Sequence, residues 1–407
     1  MVIGGSFTRN DIDRILAEKG LSSMLLYSDS SRNANMYYMT GLLTYDPFIF
    51  LKKVDEEPIL VIGQLELTRA KKESRVKDVR SSLDYDIMRI IKSAPDFKTG
   101  ALKFVVTVAK KELGTNKSIY VPPNLPVALA DVLRKSGLKI RPTFDVIEKA
   151  RETKEPDEIE GIRTTQKTAE EATRKAIDFI AESDVGPKGR LYFREKGRKQ
   201  LLTVGKLRPI FDQVFSERGC IAEEEVIVAA GPKGAMGHYT GETKDVIKAN
   251  EPILMDVFPR SIKKRYFSDM ARTVVKGKAP KKLKDMFETV LHVKNAAMDA
   301  IKAGVRGMDM QLLCYGLFEK AGYLTIRGGK QVSKGYNHSL GHGVGLEIHE
   351  GPMMGELSKP SLVEHNVVTV EPSLIDPKIG GVGIEDIVEI TSNGYRNLST
   401  MDICLEI

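Results

Sequence analysis

Four acidic residues interrupt apolar, β-branched runs in the second half of the chain: Asp256 in LMDVF, Asp269 in FSDMARTVV, Glu371 in VVTVEPS and Glu385 in GIEDIVEI. If these runs become strands, the fold must bury carboxylates. An unpaired buried carboxylate costs several kcal/mol, so such a group normally shares a cation or a metal. Taken alone, each acid reads as a salt bridge or a strand end. Taken with His342, they make an oxygen-rich donor set of two Asp, two Glu and one His, suited to two divalent ions such as Mn, Co, Zn or Fe. Two ions roughly 3.5–4 Å apart can hold a bridging water, lower its pKa towards neutrality and polarise a carbonyl, which is the chemistry of hydrolysis.

The histidines concentrate in the same region. Of six, His238, His338, His342 and His349 lie in glycine-rich surroundings, three of them within NHSLGHGVGLEIHEGP, residues 337–352. A lone histidine of this kind is more often a satisfied core residue than a ligand. The zinc motif H-E-x-x-H is excluded, because Gly351, Pro352 and Met353 follow His349-Glu350. A phosphate-cradling loop is excluded too: the third glycine of Gly341-x-Gly343-x-Gly345 is misplaced and no helical pattern follows. These glycines are expected instead to let backbone pass close to a bound group.

A chain of 407 residues is longer than one core usually organises. The first part alternates helical and strand patterns: a helix capped by Thr8 and ended by Gly20, the apolar run Met24–Tyr27, candidate strands at 47–51, 58–62 and 118–121, and a helix over 126–135. This predicts a small α/β domain. The pattern breaks at the charged stretch 151–158, with Pro156 at a helix start, and the domains are taken as 1–148 and 149–407. Beyond the break, helices are predicted after Pro156 and over 282–302 and 308–321, with strands at 225–230, 253–258, 270–275, 366–371 and 385–391. The second domain therefore reads as α+β, a sheet covered by helices. The basic segment 183–199 reads as an insertion or mobile loop.

The sequence resembles the pita-bread family that includes methionine aminopeptidase, aminopeptidase P, Xaa-Pro dipeptidase (prolidase) and creatinase. The resemblance rests on five blocks in the family's order: MGHYTG, the Asp256/Asp269 pair with SDMARTVVKG, HSLGHGVGLEIHE, VTVEPSL and GIEDIVEI. NANMYYMTGLL looks like the amino-terminal domain of prolidases and aminopeptidases P. The resemblance implies a creatinase-like N-terminal α/β domain before a pita-bread catalytic domain, with Asp256, Asp269, His342, Glu371 and Glu385 as metal ligands. Asp269 and Glu385 would bridge both ions, and Glu371 would also handle the attacking water's proton. His238 and His349 would stabilise the oxyanion, with His338 just behind them. It further implies a homodimer and a short peptide substrate with proline second.

Three departures stand out. The Asp256–Asp269 stretch is about two residues longer than usual, through the basic hairpin RSIKKRY, and an even insertion should preserve the facing of both aspartates. Met353 and Gly383 stand where prolidases commonly carry arginines that would hold a substrate carboxylate or a neighbouring acid. Dipeptidase and aminopeptidase readings therefore both stay open. So do a non-peptidase hydrolase or lyase on the same metal scaffold and a metal-free binding protein; the intact donor set argues against the last.

Composition narrows the setting. The net charge of +7 reads as a lysine-rich surface, since neither basic stretch, 188–199 nor 260–265, matches a nucleic-acid motif. No apolar run approaches the roughly 20 residues that span a bilayer, the start does not read as a secretory signal, and Cys220, Cys314 and Cys404 fit no disulfide framework or cysteine zinc site. A cytoplasmic location is expected.

Overall fold

A computed structural model describes residues 10–407. The cap read at Thr8 lies outside the described residues; the helix itself is Asn10–Glu18. Packing divides the chain into two compact units between Arg151 and Glu152.

The first unit is built on a six-stranded sheet in the order Asp78–Ser81, Ile59–Ile62, Phe48–Lys53, Ser23–Ser28, Ser118–Val121, Lys139–Pro142. Ser23–Ser28 runs antiparallel to Phe48–Lys53 and parallel to Ser118–Val121. Leu25, Ile49, Leu51, Val61 and Ile119 fill its core with Phe104, Val105 and Val108 from the helix Phe97–Leu113.

The second unit holds two apolar cores. In one, the helices Pro156–Ala181 and Val204–Glu217 pack Ala169, Ala172, Ala176, Phe211 and Phe215 with Val228, Ile253 and Met255 of a three-stranded antiparallel sheet, Ile227–Ala230, Ile253–Asp256 and Ala271–Val274. Pro156 occupies the first turn of its helix, and Glu155 and Glu158 close a capping box there. In the other, the helices Lys281–Ala300 and Gly307–Lys320 contribute Met286, Phe287, Val290, Val293, Cys314 and Phe318. Their partners include Val368, Val370 and Val388 of a five-stranded antiparallel sheet in the order Glu350–Met354, Gly341–Gly343, Val367–Val370, Asp386–Thr391, Gly394–Asn397.

The segment 183–199 is not a loop. Asp184–Val185, Leu191–Glu195 and Arg198–Leu201 form a three-stranded antiparallel sheet, in which Leu191 is buried and Phe193 stacks on Phe179 with ring centroids 5.1 Å apart. No helix among the described residues is long and apolar enough to cross a membrane.

Candidate metal centre

The acids read as strand residues sit where strands end. Asp256 is the last residue of Ile253–Asp256, Asp269 precedes Ala271–Val274, Glu371 follows Val367–Val370, and Glu385 precedes Asp386–Thr391. Asp256 pairs in register with Ala271, and the Val257 N–H donates to the Met270 carbonyl at 3.0 Å. Asp269, two residues before Ala271, therefore faces the same side as Asp256, so the longer hairpin keeps the facing that an even insertion predicts.

Asp269, Glu385 and His342 are buried, and one ligand atom from each lies within 4.8 Å of the others. His342 Nε2 is 3.6 Å from Asp269 Oδ2 and 3.2 Å from Glu371 Oε1. Its Nδ1 is 3.1 Å from the Gly343 carbonyl, a contact that requires a proton on Nδ1 and turns Nε2 to the carboxylates, as a donor to Glu371 when protonated and as a lone pair for a metal when not. Asp256 Oδ1 and Glu385 Oε1 are buried without a hydrogen-bond partner. Burial and the Glu371 charge push Asp256 up to about 7, and burial with neighbouring carboxylates holds Asp269 and Glu385 well above the usual range. Glu371 is held low against its burial by the His342 hydrogen bond, the charges of His338 and His342, and the Thr369 hydroxyl, which donates to it at 3.1 Å. Burial lowers His342, but the Glu371 carboxylate, the Gly343 carbonyl and the Asp256 charge together more than offset this. Converging carboxylates, orphaned oxygens and a correctly oriented imidazole fit divalent cations.

The remaining histidines surround this cluster. His349 stacks edge-on against His342, centroids 4.3 Å apart, and burial and the His342 charge lower its pKa. His338 Nδ1 donates to the Ser339 carbonyl at 2.7 Å, its Nε2 is 2.6 Å from Ser373 Oγ, and it lies 3.9 Å from Glu371. His238 is exposed, at a φ of 55° in the left-handed region, on a loop tied by the Lys233–Asp245 ion pair and by Tyr239 Oη donating to Asp245 at 2.6 Å.

Two cavities of about 350 and 450 Å³ meet at the cluster; Ile227, His238, Asp256, His342, His349, Glu371 and Glu385 line both. Glu224, Glu225, Phe258 and Ile348 extend the smaller lobe, while Met236, Leu254, Met353, Ile375, Gly383 and Ile384 extend the larger.

Gly341 and Gly343 serve the sheet, whereas a Cβ at Gly345 would meet the Glu350 carboxylate. A Cβ at Gly341 would lie 2.2 Å from the Thr369 carbonyl oxygen, and one at Gly343 would lie 2.1 Å from that of Gly351. The expectation that they let backbone approach a bound group is corrected accordingly: the backbone they admit is that of neighbouring strands.

Comparison with known proteins decides the family. The model for metallopeptidase family M24 matches residues 160–392, and that for the creatinase/prolidase N-terminal domain matches residues 9–153. The chain belongs to metallopeptidase family M24. An Xaa-Pro dipeptidase of Pyrococcus horikoshii is 27% identical over 395 residues, covering 96% of this chain and 93% of that protein. The crystal structure of the prolidase from Pyrococcus horikoshii OT3 matches with a TM-score of 0.74 at 25% identity, covering 97% of this chain and 98% of that one. An X-Pro aminopeptidase from Thermotoga maritima shares the fold, with a TM-score of 0.76 at 22% identity over 97% of this chain and 100% of its own. The M24 chain thus has the creatinase-type amino-terminal and pita-bread catalytic architecture expected from its sequence blocks. It is a metallopeptidase by family.

Sequence reasoning missed several groups around the centre. Thr369, Ser373, Lys154, Arg272 and Asp386 all brace it, and the signal available for all but Lys154 was a position within three residues of Asp269, Glu371 or Glu385.

Proposed function

We propose that the chain is an exopeptidase that uses two divalent ions to hydrolyse the Xaa-Pro bond at the amino end of dipeptides or short peptides. The observation that supports this most is the buried carboxylate set gathered at His342 Nε2 in a chain of this family. Asp256, Asp269, His342, Glu371 and Glu385 would hold the ions. Bound there, the ions would supply Lewis acidity at the scissile carbonyl and acidify the attacking water.

The chain's own residues do the rest. Glu371, kept ionised beside His342 and Thr369, takes the proton of the attacking water and delivers it to the departing proline nitrogen, a tertiary amide nitrogen that must be protonated to leave. His238 and His349 line both lobes and donate to the carbonyl oxygen as it becomes anionic, a contact whose loss costs about 2.7–4 kcal/mol. His338, fixed by Ser339 and Ser373, borders the larger lobe, whose apolar wall suits a proline ring. We read residues 1–148 as a domain for dimer formation and substrate access, and the protein as a homodimer.

The test is release of the amino-terminal residue from Ala-Pro, Met-Pro and Ala-Pro-Pro-Phe by metal-stripped protein resupplied with Mn, Co, Zn or no metal, with Glu371→Gln alongside. Metal-dependent cleavage that Glu371→Gln abolishes is the expected result. No cleavage despite two bound metals would sink the peptidase reading and favour other chemistry on the same scaffold.

A further inference from the structure

The two lobes differ in charge, and the difference bears on which peptides are cut; the inference rests on the exopeptidase reading above. Three consecutive glutamates, Glu223, Glu224 and Glu225, precede the strand Ile227–Ala230. Arg260 pairs with Glu223, and Arg208 lies 2.9 Å from Glu225, which also accepts from Thr240 Oγ1 at 2.7 Å. Glu224, between them, is exposed and lines the smaller lobe, and among the described residues its carboxylate has neither an ion pair nor a hydrogen bond. It is near enough to His349 for its charge to act on that imidazole.

Ile227, Phe258 and Ile348 line the same lobe, so a free carboxylate stands among apolar walls. A lysine or arginine side chain is the complement of that combination: its methylene stem covers apolar surface while its charged head seeks an anion. The larger lobe has no carboxylate besides those of the metal cluster, and Leu254, Ala271, Met353 and Ile384 suit it to an uncharged ring. With proline there, the residue before it falls to the smaller lobe. We infer that the enzyme prefers lysine or arginine as the residue before proline, and that Glu224 is the group that selects it.

The test compares kcat/KM for Lys-Pro-Pro-Phe and norleucine-Pro-Pro-Phe, which differ in the ammonium group, using metal-loaded protein. Lysine is expected to win by about 10-fold, the lower end of what a hydrogen bond to a charged group supplies. The preference should shrink as salt is raised. The ratio should fall to near one in Glu224→Gln, and in Glu224→Lys the preference should pass to Glu-Pro-Pro-Phe. A ratio near one in the unaltered protein, or a lysine preference that survives Glu224→Gln, overturns the inference. Equal proportional losses on both peptides would give Glu224 to the α-ammonium and overturn it also. Failure to cleave these peptides and the dipeptides Lys-Pro and norleucine-Pro alike is a different result, which removes the exopeptidase reading itself.

Discussion

Arg272 Nη1 donates to the main-chain carbonyl of Glu385 at 2.6 Å. The same guanidinium reaches the carboxylate of Asp386 at 2.8 Å and the Ala271 and Met401 carbonyls, and Lys294 pairs with Asp386 from the other side at 2.5 Å. The Glu385 N–H donates to the Ala271 carbonyl at 3.1 Å. The segment carrying Glu385 is thus clamped, on both peptide faces, to the strand that follows Asp269. The proposed ligands Asp269 and Glu385, from distant parts of the sequence, are held at a fixed spacing by an ion cluster outside the proposed ligand set.

Replacing Arg272 should therefore loosen the metal centre. Arg272→Met leaves a buried carboxylate half-compensated, at a cost of about 3–5 kcal/mol. Arg272→Lys keeps the charge but cannot span both acceptors, and should recover stability only in part. Denaturant midpoints and metal stoichiometry at limiting metal check this. Two ions bound with wild-type affinity in Arg272→Met would show that the clamp does not set ligand spacing.

A second buried pair steadies the histidine side. Lys154 Nζ lies 2.7 Å from Glu350 Oε1, with side chains 2% and 7% exposed, and Glu350 adjoins His349. Either single replacement, Lys154→Met or Glu350→Gln, should destabilise by about 3 kcal/mol and lower kcat more than it raises KM. The double variant should be less impaired than the sum, with a coupling of about 1 kcal/mol or more in a double-mutant cycle. Additive effects would mean that the two side chains do not act together.

Much of this was legible beforehand. The strand at 118–121 and the helices that begin at Pro156, Lys281 and Gly307 follow from uninterrupted apolar periodicity and punctuation by Pro and Gly, and the structure begins them within one residue of the expected positions. The acids that the structure brings together around His342 could be picked out because each interrupts an apolar run. The sheet at 184–201 was not, since Arg194, Glu195, Lys196, Arg198 and Lys199 are all exposed and Leu191 is its one buried side chain before Leu202, leaving no period-two signal. The Arg272–Asp386 and Lys154–Glu350 contacts could not be read either. Each joins residues more than a hundred positions apart, and only strand register or loop packing brings them together.

Substrate length follows from the lining of the larger lobe. Among the described residues, no lysine or arginine lines either cavity, so a dipeptide's carboxylate would meet no cation there. Ala-Pro-Pro-Phe should be cut at least about 10-fold more efficiently than Ala-Pro. Met353 is 46% exposed and lines the larger lobe, so Met353→Arg has room to supply the missing charge and should raise kcat/KM for Ala-Pro. Gly383 is a poorer place to restore it, because a Cβ there would already lie 3.3 Å from Leu254 Cδ1. Equal rates on both wild-type substrates would point to another cation at the site.

The carboxylate cluster also makes the stability of the metal-stripped protein depend on pH in an unusual direction. Asp256 rises from 3.8 to about 7 through burial and the Glu371 charge, and Asp269 and Glu385 rise well above their ordinary values through burial and neighbouring carboxylates. Each of these acids keeps its proton in the folded state after the unfolded chain has lost it. Their contribution is full below about pH 4 and is lost as pH rises through the folded values. His342, whose folded pKa is also raised, loses its contribution in the same direction. Glu371, held low by His342 and Thr369, and His349, held low by burial and the His342 charge, oppose them, their contributions being lost as pH falls. In chelator, Tm should therefore fall between about pH 5 and about pH 8. Divalent ions take the place of the lost protons, so the rise in Tm on adding Mn should grow over the same range. Asp256→Asn should flatten the slope in chelator while weakening the response to Mn. Thermal melts across this range decide it: a stripped protein that gains stability as pH rises would mean that the converging carboxylates store no repulsion for a metal to relieve.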